Sequence, residues 1–164
     1  MTDRTTPSST HAADSGDSRF SVLTPKECEQ LLARLHVGRI AFSHGNRVDI
    51  EPIGYVYENG WLFGRTSPGT KLRALGHRPW VAFEVDEVAG PLDWESVVIH
   101  GSFRVLAPGG SEYDAQLYER ALALLRERDP ALGTDQDTLA FRSTIFGVHV
   151  DDMTGRRARA SGAG

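Results

Sequence analysis

Apolar residues recur at helical spacing from Cys28 through Leu31 and Leu32 to Leu35, forming one stripe. Ahead of it, Thr24-Pro25-Lys26-Glu27 reads as a capping box with proline at the first helical position. The pattern predicts a short amphipathic helix, with Cys28 packed on its apolar side. After Gly38 the period falls to two. Residues 39–43 read as a strand, His44-Gly45-Asn46 as a tight turn, and Val48, Ile50 and residues 53–57 as a second strand. Pro52 interrupts it and marks an edge, a bulge or a break, because proline has no N–H for the ladder. Asn59-Gly60 is a type I′ hairpin pair, so Trp61-Leu62-Phe63 opens a third antiparallel strand.

Beyond it, Ser67 reads as an N-cap with Pro68 at the first position of a two-turn helix that Gly76 stops. Val81, Phe83 and Val85 alternate with Ala82, Glu84 and Asp86, a strand with one wet face. Residues 89–93 read as a loop and 94–106 as a long strand with a bulge at Gly101. Residues 111–128 are helical, and a last strand over 144–150 stops before Asp151-Asp152. Six strands and three helices with short links favour a small, largely antiparallel barrel with helices at its ends. Trp61, Trp80 and Trp94 are assigned to the core. There is no strand–helix alternation and no GxGxxG, which excludes a dinucleotide fold of that type.

The chain has 164 residues, 40% hydrophobic and 24% charged, enough for one domain. Residues 1–19 are polar and small and read as a disordered tail, 20–156 as the domain, and 157–164 as a flexible, solvated basic tail. The net charge of −4 opposes nucleic-acid binding. One cysteine excludes an internal disulfide and a thiolate zinc site, and no metal-ligand spacing occurs. No apolar run approaches a membrane span and no signal peptide is visible, so the expectation is a soluble cytoplasmic protein.

Chemistry concentrates at Arg65-Thr66-Ser67-Pro68-Gly69-Thr70-Lys71, where hydroxyls, a glycine and two cations meet a strand-to-helix turn. Free N–H groups and the helix dipole make such a turn an anion site. The same residues also suit routine capping. Of the histidines, His100 stands out beside the expected bulge, with a packed or surface role as the plain alternative. No nucleophile has an evident base partner, and no catalytic residue is assigned.

The order of these segments is familiar: a GRIAF strand, a Pro52-centred strand, an NG hairpin with WLF and a T-S-x-G-x-K turn, followed by PWVAFEVDEV and WESVVIHGSF. It resembles the pyridoxamine 5′-phosphate oxidase-like proteins, the flavin-binding split barrels, and most of all their small actinobacterial and nitroimidazole-resistance-type branch. Over about Leu23 to Arg156, with Met153-Thr154-Gly155-Arg156 as the closing strand, the resemblance implies a six-stranded Greek-key split β-barrel with flanking helices. It implies a homodimer with FMN at the interface and a small-molecule substrate. Thr66, Ser67, Thr70 and Lys71, with Arg65, would hold the phosphate. The ring would lie by Pro52, Ile53 and Gly54, with Ser96, Trp94 and His100 near it. The Arg-x-His pair of true pyridoxamine-phosphate oxidases is missing, since Gly155-Arg156-Arg157 has no histidine.

The resemblance therefore implies an FMN-binding oxidoreductase of unknown substrate. Its alternatives are deazaflavin F420, held by Arg65, Arg73 and the C-terminal arginines, or haem on His100 or His149. A non-catalytic dimeric flavin-binding or sensing module is the third reading.

Overall fold

The computed structural model describes residues 19–159. The N-terminal tail expected over 1–19 lies outside the described residues except for Arg19, and so do residues 160–164 of the C-terminal one. The described chain runs β1 (Phe20–Val22), α1 (Pro25–Arg34), β2 (Val37–His44), β3 (Arg47–Gly54), β4 (Val56–Glu58) and β5 (Trp61–Thr66). It continues through α2 (Thr70–His77), β6 (Trp80–Gly90), β7 (Asp93–Leu106), α3 (Glu112–Arg128) and β8 (Thr144–Ala158).

All pairings are antiparallel, in the order β3-β2-β6-β7-β8-β5-β4, with β1 also on β8. The last strand thus inserts between β7 and β5, which is a Greek-key return. β3 and β5 then approach each other without pairing. A Cβ on Gly64 would stand 2.7 Å from the Gly54 carbonyl oxygen, so glycine there lets the two sides of the split barrel meet.

Local signals explain most elements. Thr24 Oγ1 accepts from the Glu27 N–H, and Glu27 Oε2 accepts from the Thr24 N–H at 2.8 Å, which is the expected capping box. Asn59 and Gly60 both have positive φ, as the I′ turn requires. The bulge falls at His100/Gly101, where a Cβ on Gly101 would strike the His149 carbonyl oxygen. One core holds Leu31, Leu32, Ile40, Phe83, Val85, Val97 and Ile99, and a smaller one lies under α3 around Phe63, Ala121 and Ile145. Among the described residues no helix is long and apolar enough to cross a membrane.

Four expectations need correction. There are eight strands rather than six, because Phe20–Val22 adds to β8 and the Pro52 strand breaks at Tyr55. Pro52 itself sits inside β3 opposite Arg39, and β3 is an edge strand, so of its three expected readings the edge holds. The last strand does not stop at Val150 but runs to Ala158. Arg157 pairs with Glu95 at 2.7 Å and Glu27 at 3.0 Å, and Arg159 with Asp93 at 2.9 Å, so the tail expected from residue 157 begins as paired strand. Trp80 is not core: it is 68% exposed, and Trp61 and Trp94 are only half-buried.

Candidate functional site

The turn between β5 and α2 differs from the expected cap. Ser67 and Pro68 lie before the helix, which begins at Thr70. Gly69 holds the N-cap position in extended conformation, and no side chain caps the helix among the described residues. Gly76 falls inside the helix, which closes at Arg78. With glycine at the N-cap, the first N–H groups of α2 have no side-chain cap, and Ser67 and Thr70 are exposed beside them. Space around Gly69 is open.

Lys71 does not wave into solvent. Its side chain is 11% exposed, and Nζ lies 2.7 Å from Glu51 Oε2. Glu51 ends a core-facing row that runs across Ile40, Phe83 and Ile99, so its carboxylate emerges at the edge of β3 where α2 arrives. Thr66 is buried at the end of β5. Arg65, one residue earlier in the strand, points to the opposite side. There Asp137 and Asp129 take it at 2.7 and 2.8 Å, so it stands apart from the turn it was grouped with.

Between α2 and the β2–β3 turn lies a hollow of about 410 Å³ walled by Ser43, His44, Thr70, Arg73, His77 and Arg78. Arg73 donates to Thr70 Oγ1 at 3.1 Å, and Asp49 stands 3.2 Å from His44. Ser43 also borders a second hollow of about 310 Å³ on the outward sheet face, made by Ala41, Val48, Trp80, Ala82 and His100. The strand register explains this face. Ile50, Ala41, Ala82 and His100 form one cross-strand row, and Val48 lies opposite Ser43 in the next. Val48, Ile50 and Trp80 are exposed hydrophobic residues on it. A cation-rich hollow and an apolar one therefore share a wall. This donor set fits an anionic group joined to a flat apolar body.

The other anticipated residues divide by strand parity. Pro52 and Gly54 are exposed on the outward side of β3, whereas Ile53 is 4% exposed in the core, so only its backbone is available to a ligand. Gly54 lines a different hollow, beside α3. His100 lies 65% exposed on the outward face, with Asp152 3.8 Å away. Ser96 is half-buried between Asp86 and Arg156, and Trp94 packs by Phe20 at 6.3 Å between ring centroids, toward the other end of β7. Glu51, Ser43, His44, Arg78 and Trp80 were not singled out. Alternation along β2 and β3 carries a signal for Ser43 and Glu51, but their convergence with α2 is long-range.

A family model for pyridoxamine 5′-phosphate oxidase matches residues 24–157, most of the chain. The chain belongs to that family. A FAD-binding protein of Mesorhizobium loti superposes with a TM-score of 0.67 at 23% identity, over 85% of this chain and 99% of the other. A FAD-binding protein of Mycobacterium smegmatis gives 0.61 at 28% identity, over 85% and 100%. A candidate 5-nitroimidazole antibiotic resistance protein of Bacteroides thetaiotaomicron gives 0.62 at 18%, over 84% and 86%. The chain shares the antiparallel split-barrel fold of these structures.

Proposed function

We propose that this family member binds a flavin nucleotide, FMN being the smallest that satisfies the site, and works as a homodimeric oxidoreductase on a small molecule. One observation carries the reading: the uncapped start of α2, bearing Ser67, Thr70 and Lys71, opens beside a cationic hollow that meets an apolar sheet face at Ser43. The FAD-binding relative at 28% identity supports it.

A bound flavin supplies the redox chemistry, so the protein needs few groups of its own to move protons. The N–H groups of α2 and the Ser67 and Thr70 hydroxyls donate to the phosphate, while Lys71 and Arg73 balance its charge. Ala41 and Ala82 are small enough to leave the outward face flat. Val48, Ile50 and Trp80 form an apolar surface there that a second copy of the chain covers, excluding water from the ring.

The test is the absorption spectrum of the purified protein, followed by titration with FMN, FAD, F420 and haem. A flavin spectrum, or saturable quenching of flavin fluorescence, is expected. Tighter binding of F420, or a Soret band on adding haem, replaces FMN as the ligand. Steady NADH or NADPH oxidation by the flavin-loaded protein separates an enzyme from a binding module.

A further inference from the structure

A different part of the barrel carries another hollow. Where β3 breaks at Tyr55 and α3 ends at Arg128, a hollow of about 250 Å³ opens between them. Its size is below the roughly 300–1,000 Å³ of sites for drug-sized ligands, so it suits a smaller one. Leu125, Leu132 and Leu139 give it an apolar wall, and Arg128 and Arg142 give it two cations.

The charges are unevenly used. Arg65 lines the hollow but is consumed by Asp129 and Asp137, and Asp129, the lining carboxylate, is in turn held by Arg65 at 2.8 Å. Arg128 and Arg142 have no carboxylate partner among the described residues, although the Arg142 guanidinium sits 5.7 Å from the Phe141 ring centroid. At the back, His36 Nδ1 is buried with no hydrogen-bond partner among the described residues. Burial, and then the nearby Arg128 charge, push His36 below the usual histidine range. Its position is fixed: the Tyr55 N–H donates to the His36 carbonyl at 3.0 Å, and the Tyr55 hydroxyl is spent on the Leu32 carbonyl at 2.8 Å.

We propose that this hollow binds a small organic anion, a carboxylate joined to an apolar body. The carboxylate meets Arg128 and Arg142, and the body lies on the three leucines. Planar guanidinium groups in a partly dry setting recognise a carboxylate well. This site does not depend on the flavin reading, since it shares no residue with the α2 turn.

Calorimetric titration of the full chain tests it, with benzoate as probe and benzamide and inorganic phosphate as comparisons. Saturable benzoate binding is expected, about tenfold or more tighter than benzamide, and weaker by a similar factor in Arg128→Gln and in Arg142→Gln. Benzoate should also shift the His36 imidazole nitrogen resonances. Three results overturn the proposal: no saturable benzoate binding, equal affinity for benzamide, or phosphate displacing benzoate as effectively as benzoate itself. Benzoate affinity that survives both arginine variants does so as well.

Discussion

The Lys71 ammonium lies 2.7 Å from the Glu51 carboxylate, a contact between the first turn of α2 and the edge strand β3. The lysine proposed to receive the phosphate is therefore already paired. An incoming dianion must share Lys71 with Glu51, and the carboxylate opposes it by like charge. Lys71→Ala should weaken FMN binding by about 10- to 100-fold, the effect of one charge-assisted hydrogen bond. Glu51→Gln should tighten it several-fold. Flavin fluorescence quenching measures both, and an unchanged affinity in Lys71→Ala contradicts the assignment.

Arg65 sits only six residues before Lys71 but serves the fold. Its side chain is 10% exposed and that of Asp137 is 4%. Arg65→Ala should lower Tm clearly while leaving flavin affinity unchanged, a split that differential scanning fluorimetry and titration together resolve. Loss of flavin affinity at full stability would reverse the roles.

The same pair makes an acid-stability prediction. Hydrogen bonds from Arg65 first, then from the Gly133 and Leu139 N–H groups, hold the Asp137 carboxyl at about 2, below its ordinary 3.8. A depressed carboxyl stabilises the fold above its unfolded value and loses that contribution as pH falls through the folded one. Stability should therefore decline between about pH 4 and pH 2 through this group, and Asp137→Asn should flatten that part of the curve. Urea midpoints across the range decide it; an equally steep decline in the variant contradicts it.

Glycine at position 101, opposite the bulge that Asp151 makes in β8, is required by space. A Cβ at position 101 collides with the His149 carbonyl oxygen, which is main chain and has little room to yield. Gly101→Ala should destabilise by roughly 1–3 kcal/mol in urea denaturation. Gly109→Ala, where the surroundings are open, serves as the neutral control. Equal midpoints for the two variants would show that the bulge relaxes freely.

The proposed dimer uses the apolar outward face. Trp80→Glu and Ile50→Asp place charges among Val48, Ala41 and Ala82, and should shift the protein toward monomer in light scattering behind size exclusion. A native chain that is monomeric at all concentrations contradicts this use of the face.

What the sequence revealed was mostly short-range. The Thr24–Glu27 box, the Asn59-Gly60 turn and the Gly101 bulge each depend on a few adjacent residues, and each appears in the structure. The order of motifs also identified the family. The start of α2 misled because Ser67-Pro68 has the chemistry of a cap, whereas the chain stays extended through Gly69. Alternation along β3 buries the Ile53 side chain between exposed Pro52 and Gly54, while the backbone of all three lies on an edge strand, which is where the flavin ring was expected to bond. Asp151-Asp152 looked like a strand end, but Asp151 is the extra residue of the bulge opposite His100 and Gly101, and β8 continues past both. Partnerships across long separations had no local trace. Lys71 with Glu51, Arg65 with Asp137 and the buried Glu95 with Arg157 all depend on which strands become neighbours.

Phosphate recognition at α2 is tested most directly by comparing FMN with riboflavin, which has the same ring and no phosphate. The expected result is that FMN binds about a hundredfold or more tighter than riboflavin, and that Lys71→Ala removes most of the difference. Equal affinity for the two flavins, or a difference that Lys71→Ala leaves intact, would show that the anion is held somewhere other than the start of this helix.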